Sequence, residues 1–116
     1  MLLTMLKSKI APAMVTETHL EYEGSITLDA EVAEAAGLVA GEQVHVLNYN
    51  TGARLITYTI IGERGSGVVC LNGPAARSGL AGDRVAVLSY VQLTEEEAQG
   101  WKPVVVRLDE RNRAVR

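Results

Sequence analysis

The chain has 116 residues, 47% of them apolar, enough for one domain with one core of ordinary size. Its 11 basic and 14 acidic side chains leave it slightly negative, which excludes the basic footprint that phosphate-backbone binding needs, so no nucleic acid partner is expected. Phe is absent and aromatics are only 4%, so the core must come from Val, Ile, Leu and Ala, a composition that favours strands.

The first residues, Met1 to Leu6, reach Lys7 and Lys9 before any long apolar run forms, which reads as neither a signal peptide nor a membrane span and suggests a cytoplasmic protein. Residues 2–10 and 13–22 read as strands. In the second, Met14, Thr16, Thr18, Leu20 and Tyr22 share one face, and Val15, Glu17, His19, Glu21 and Glu23 the other, solvated one. A short strand at 26–28 meets Asp29, a suitable N-cap for a helix over 30–36 that Gly37 ends.

Residues 43–49 form a further strand, Asn50-Thr51-Gly52 a hairpin turn, and 54–61 the return strand. Gly62 to Gly67 is another turn; it lacks the Lys-Ser/Thr and following helix of a phosphate loop. A strand at 68–71 contains Cys70, the lone cysteine, expected as a buried thiol. Pro74 suits the first turn of a short helix after Asn72-Gly73. Strands at 84–93 and 104–108 flank a short acidic helix capped by Thr94, and the charged residues 109–116 are expected to fray.

An offset of 41 residues aligns Gly41 to Tyr49 with Gly82 to Tyr90, and Gly24-Ser25 with Gly65-Ser66. Two similar units closing one small barrel would produce this, and so would chance among common residues. If the repeat is real, Gly65-Ser66 is an internal control for any chemistry assigned to Gly24-Ser25.

At Gly24-Ser25 the serine hydroxyl could attack the preceding carbonyl. Gly24 would permit a turned, strained backbone, and a nearby donor would stabilise the oxyanion. β-Elimination from the resulting ester followed by hydrolysis leaves a pyruvoyl group, a ketone able to form a Schiff base with an amine and accept electrons as carbon dioxide departs. Arg54 and Tyr58 lie four apart on one strand face, about 13 Å apart at the backbone; Arg can clamp a carboxylate and a Tyr hydroxyl can protonate a carbanion, although such a pair is more often a surface Arg and an interface Tyr. Thr57 points to the opposite face. Both faces border one site most easily when that site lies between subunits, so a homo-oligomer is expected. His19 with Glu17, Glu21 and Glu23 offers only ligands about 7 Å apart along a strand, too widely spaced for a metal, and His45 has no obvious partner.

Lys9, Tyr22-Glu23-Gly24-Ser25, Gly52-Ala53-Arg54-Leu55 with Thr57-Tyr58, Gly62 to Gly67, Asn72-Gly73 with Ala75-Ala76, and Gly82-Asp83 together resemble the L-aspartate α-decarboxylase family over nearly the whole chain. The resemblance implies a single-domain, mainly β, six-stranded double-psi β-barrel with short helices, cut into residues 1–24 and 25–116, and assembled as a tetramer with intersubunit sites. It implies that L-aspartate is converted to β-alanine for pantothenate synthesis by a pyruvoyl cofactor made from Ser25, with neither pyridoxal phosphate nor metal. By the same resemblance, Thr57 assists cleavage and borders substrate, Tyr58 donates a proton, and Lys9 and Arg54 hold carboxylates. Asn72, Gly73, Ala75 and Ala76 would line the pocket. The chain departs from the family pattern at Ala11-Pro12, in place of His-Arg, and at Pro74, in place of Ala. An uncut barrel serving as a binding module, or a pyruvoyl decarboxylase of another amino acid, would also carry much of this pattern.

Overall fold

The computed structural model describes residues 1–115. Nine strands follow the chain: β1 Leu2–Met14, β2 Glu17–His19, β3 Ser25–Asp29, β4 Gln43–Asn48, β5 Arg54–Gly62, β6 Val69–Asn72, β7 Arg84–Thr94, β8 Val104–Leu108 and β9 Ala114–Val115. Between them lie the helices α1 Ala30–Ala36 and α2 Glu95–Ala98, and a 3₁₀ turn over Gly73–Arg77.

The lateral order β2-β6-β3-β5-β4-β7-β1-β8-β9 begins with β2 and reaches β1 late, yet β1 and β2 are consecutive in the chain. Val15 and Thr16 join them and are hydrogen-bonded on both sides: Val15 exchanges backbone bonds with Asp83 and Gly82, and the Thr16 N–H donates to the Val69 carbonyl. The bent β1–β2 segment therefore pairs with β7 at one end and β6 at the other. The six lanes from this segment through β6, β3, β5, β4 and β7 thus begin and end on one continuous stretch of chain, as in the double-psi barrel that the resemblance implies, while β8 and β9 extend from the other edge of β1.

The 41-residue offset is present in the pairing itself. In antiparallel β4 and β7, Val46 lies opposite Val87, and in antiparallel β3 and β6, Leu28 lies opposite Val69. Each pair joins residues 41 apart, as a local twofold between the two units requires. The parallel pairing of β3 with β5 likewise has its counterpart in β6 with β2.

Period-2 alternation fills the interior with Ile10, Ile26, Leu28, Val44, Val46, Val69, Leu71, Val85 and Val87, all essentially inaccessible. Asp29 caps α1 by accepting from the Glu31 N–H, and it also accepts from the N–H groups of Gly65 and Gly67. Burial works against its charge, but those three donors and the Arg113 charge outweigh it, and the carboxyl is held below its usual range. At the other end of α1, the Lys7 ammonium donates to the Gly37 carbonyl and to Glu42.

Three expectations are corrected. Pro12 does not end the first strand: β1 runs through it with a register shift between Ile10 and Ala13, which absorbs the missing N–H as a bulge. The second strand stops at His19 rather than 22, because the chain turns there, with the Tyr22 N–H donating to the His19 carbonyl. Residues 109–115 are not frayed. Asn112, at φ 59 and 2% exposed, bonds Met14 through both its N–H and C=O and donates to the Gly67 carbonyl. Arg116 lies outside the described residues.

Candidate functional site

Register places the polar residues of three adjacent strands, β2, β6 and β3, on the outer face of the barrel. Ser25 pairs with Asn72 and Thr27 with Cys70, while Glu17 and His19 on β2 lie beside Cys70 and Asn72. The alternate residues, Ile26, Leu28, Val69 and Leu71, point into the core. The outer face is covered by the 20–24 turn and the Gly73–Arg77 turn, so Ser25 is fully buried although it does not belong to the apolar core.

Asn72 organises this face. Its Nδ2 donates to Ser25 Oγ and to Thr27 Oγ1, both at 2.9 Å, and its Oδ1 accepts from the Cys70 thiol at 3.2 Å. The Ser25 hydroxyl has a long bond, 3.4 Å, to the Glu23 carbonyl. Burial, and to a lesser degree the Glu17 charge, pushes the Cys70 thiol up to about 11, in keeping with the buried thiol expected.

Two clefts flank the Gly24–Ser25 bond. One, of about 340 Å³, contains Ser25, Thr27, Tyr58, Cys70 and Asn72, with Glu17 and His19 at its side. The other, of about 470 Å³, contains Gly24, Thr57, Tyr58, Pro74 and Ala75. Tyr58 borders both. Thr57, on the opposite face of β5, borders only the Gly24 side.

Gly24 is not the strained residue. Its φ lies outside the left-handed region, and a Cβ there would meet only Pro74 Cδ at 3.3 Å. The left-handed glycine is Gly73, φ +61, packed against the Tyr22–Gly24 backbone. The strain argument made for Gly24 therefore belongs to Gly73, whose missing side chain lets the two turns touch.

Ser25, Gly24, Thr57, Tyr58, Asn72, Gly73 and Ala75 are brought together. Lys9, half-buried on β1, and Ala76 border neither cleft, and the Arg54 guanidinium is turned to His45 Nδ1 at 3.0 Å. Ala11 does not border either cleft, and Pro12 lies with Met14, Arg84 and Leu108 in a separate apolar hollow of about 230 Å³. Of the departures from the family pattern, only Pro74 reaches the Gly24–Ser25 region within one chain.

Sequence reasoning missed Thr27 and the grouping of Glu17, His19 and Cys70. The His19 Nε2 and Glu17 Oε2 atoms are 2.7 Å apart, and one ligand atom from each of the three residues falls within 4.8 Å of the others. The spacing argument measured backbone positions, whereas long side chains on one strand face can bring their tips together.

β5 also exposes an apolar stripe, whose Ile56 borders the Gly24 cleft and whose Ile60 borders the Ser25 cleft. Ile56 is 58% exposed, and Ile60 and Ile61 are also open to solvent. Among the described residues, no helix is long and apolar enough to cross a membrane.

Comparison with known proteins gives a consistent result. The profile described as aspartate decarboxylase matches residues 1–115. An aspartate 1-decarboxylase of Carboxydothermus hydrogenoformans is 52% identical over 116 residues, covering 100% of this chain and 91% of that protein. One from Pelotomaculum thermopropionicum is 54% identical over 115 residues, 99% of this chain and 87% of its own. One from Leptospira biflexa is 50% identical over 114 residues, 97% of each.

Proposed function

The chain belongs to the aspartate decarboxylase family, and on that premise we propose that it cuts its own Gly24–Ser25 bond and then converts L-aspartate to β-alanine and carbon dioxide. As such it is a carboxy-lyase, working in the cytoplasm and supplying pantothenate synthesis. The observation that carries the proposal is a buried serine hydroxyl, held by Asn72 Nδ2, at a peptide bond flanked by two clefts that share Tyr58.

In the maturation step Ser25 Oγ attacks the Gly24 carbonyl carbon. The C–N bond breaks, the Ser25 nitrogen takes the proton, and an ester joins the two segments. Thr57, which borders the Gly24 side, donates a hydrogen bond from its hydroxyl to the oxyanion. Loss of the Ser25 Cα proton then expels the Gly24 carboxylate, and water replaces the nitrogen as ammonia. The products are residues 1–24 with a free carboxyl and residues 25–116 beginning with a pyruvoyl group.

The surroundings fit such a group: the position is shielded, Asn72 already directs a donor at the side-chain atom of residue 25, and a cleft opens beside it. The group supplies a ketone that binds an amine covalently and withdraws electrons during decarboxylation. Tyr58, in both clefts, is the proton donor to the product carbon. Asn72, Gly73, Ala75 and Ala76 form the wall. Lys9 and Arg54, which border neither cleft of their own chain, hold carboxylates at the site of a neighbouring copy. The exposed stripe of β5 supports that assembly, a homotetramer with intersubunit sites.

Intact mass of freshly purified protein beside Ser25→Ala tests the proposal. The expected wild-type spectrum has two fragments, with the larger lighter than a Ser-initiated 25–116 by one ammonia, while Ser25→Ala stays whole. Carbon dioxide release from aspartate then follows the cut fraction. An uncut wild type after prolonged warming, or cut protein inert to aspartate, overturns the proposal.

A further inference from the structure

Glu17, His19 and Cys70 lie at the side of the Ser25 cleft, and the maturation chemistry uses none of them. One carries a carboxylate, one an imidazole and one a thiol, the donor types of a zinc site with a position left for solvent. Register explains why they meet. Glu17 on β2 pairs directly with Cys70 on parallel β6, and His19 is two residues further along β2 on the same face.

Tetrahedral zinc with bonds of about 2.0–2.3 Å places neighbouring ligand atoms about 3.4 Å apart. The observed 2.7 Å between His19 and Glu17, and the 4.8 Å limit for the whole set, bracket that spacing. Glu17 and His19 are partly exposed, so small rotations of their side chains complete the set without moving the backbone. Cys70 is fixed by its burial.

We propose that Glu17, His19 and Cys70 form a binding site for a thiophilic divalent cation, zinc in particular, at the side of the Ser25 cleft. Binding releases the thiol proton to solvent and puts a metal-bound thiolate where the thiol had donated to Asn72 Oδ1. Asn72 loses that anchor, and with it the alignment of Nδ2 on Ser25 Oγ. Occupation of the site therefore slows the cut after Gly24. This consequence rests on the self-cleavage proposed above; the binding itself does not.

The decisive experiment titrates zinc, then cobalt(II), into full-length Ser25→Ala, which stays uncut, and into the same protein carrying His19→Asn or Cys70→Ser. The expected result is one zinc per chain with a dissociation constant of about 1 µM or tighter, and a thiolate-to-cobalt charge-transfer band. Cys70 is the only cysteine, so that band can come from no other residue. His19→Asn, at a partly exposed position, weakens binding while leaving the fold intact, and Cys70→Ser abolishes the band. Absence of stoichiometric binding, or binding that His19→Asn does not weaken, reduces the cluster to a hydrogen-bonded His–Glu pair beside a thiol and overturns the site. In the wild type, one equivalent of zinc should lengthen the half-time of cleavage about tenfold, reversibly on chelation. An unchanged half-time with zinc bound overturns the coupling through Asn72. A wild type that stays uncut in metal-free buffer overturns self-cleavage, and the titration of Ser25→Ala still decides the site.

Discussion

Gly73→Ala tests the link between fold and cleavage most directly. A Cβ at residue 73 would stand 2.4 Å from the Tyr22 carbonyl oxygen, 2.6 Å from the Gly24 nitrogen and 2.8 Å from the Glu23 carbonyl carbon, where ordinary contact begins at 3.4 Å. These are backbone atoms, so relief needs a shift of about 1 Å in the segment carrying the bond to be cut, and a displacement of that size costs about 100-fold in rate. Holding alanine at φ +61 costs a further ~1–2 kcal/mol, for a total loss of stability of about 2–4 kcal/mol. Gly37→Ala is the control: its φ is +72, but nothing lies within 4 Å of the added carbon. Urea unfolding and a mass-spectrometric time course of cleavage read the two effects. Gly73→Ala should lower the midpoint by roughly 1–2 M and slow cleavage about 100-fold, and Gly37→Ala should lower the midpoint by less and cut at the wild-type rate. A Gly73→Ala protein with the wild-type midpoint and half-time would refute the close approach of the two turns.

Asn72→Ala removes the donor to Ser25 Oγ and the acceptor for the Cys70 thiol, and should slow cleavage at least tenfold while lowering stability by about 1–3 kcal/mol, read by intact mass and urea unfolding. Asp29 is more acidic in the folded chain than in the unfolded one, so its charge stabilises the fold above its unfolded value near 3.8, and that stability is lost as pH falls through the lower folded value. Asp29→Asn should accordingly be less stable than wild type at pH 7, with the gap narrowing below pH ~4 in denaturant titrations; an equal gap at both pH values would sink the assignment. If the proposed tetramer forms through the exposed β5 stripe, Ile56→Glu should reduce it to smaller species in analytical ultracentrifugation. A tetramer unaffected by that charge would place the interface elsewhere.

What was legible in the chain followed local chemistry. Helix α1 begins after Asp29 and ends before Gly37 at the expected residues, and Thr94 makes the capping box with Glu97. Strand β8 also has its expected bounds. The misreadings arose where a distant partner decides. Alternation through Leu20 and Tyr22 continued the pattern of β2, but no strand lies beside them, and the chain turns to place Ser25 at the start of β3. Residues 109–115 look like a charged tail because their order depends on Asn112 reaching Met14 and Gly67, contacts that no neighbouring residue reveals. The candidate site was half legible for the same reason. Ser25, Thr57 and Tyr58 belong to recognisable runs, whereas the role of Thr27 and the His19–Cys70 approach follow from the register of β6 against β3 and β2.

The internal repeat sharpens what selects Gly24–Ser25, since Gly65–Ser66 is its counterpart 41 residues on. Sequence makes the two dipeptides equal; their surroundings do not. Ser66 is exposed, its hydroxyl donates to the Glu63 carbonyl at 2.6 Å, and its oxygen accepts from the Val68 N–H at 3.2 Å. Gly65 is tied to Asp29. The Ser66 hydroxyl is thus committed to holding a turn, and it has neither the burial of Ser25 nor the side-chain amide donor that Ser25 receives from Asn72. On the dyad that relates the halves, the position matching Asn72 is residue 31, a glutamate in the first turn of α1 rather than an amide on a strand. One half of the fold therefore commits its Gly-Ser serine to a turn, and the other buries it beside an amide donor, the setting that the proposed cleavage requires. A mass spectrum of the mature protein should show no fragment ending at Gly65, and a cut there would mean that the dipeptide, not Asn72 and the covering turns, sets the site.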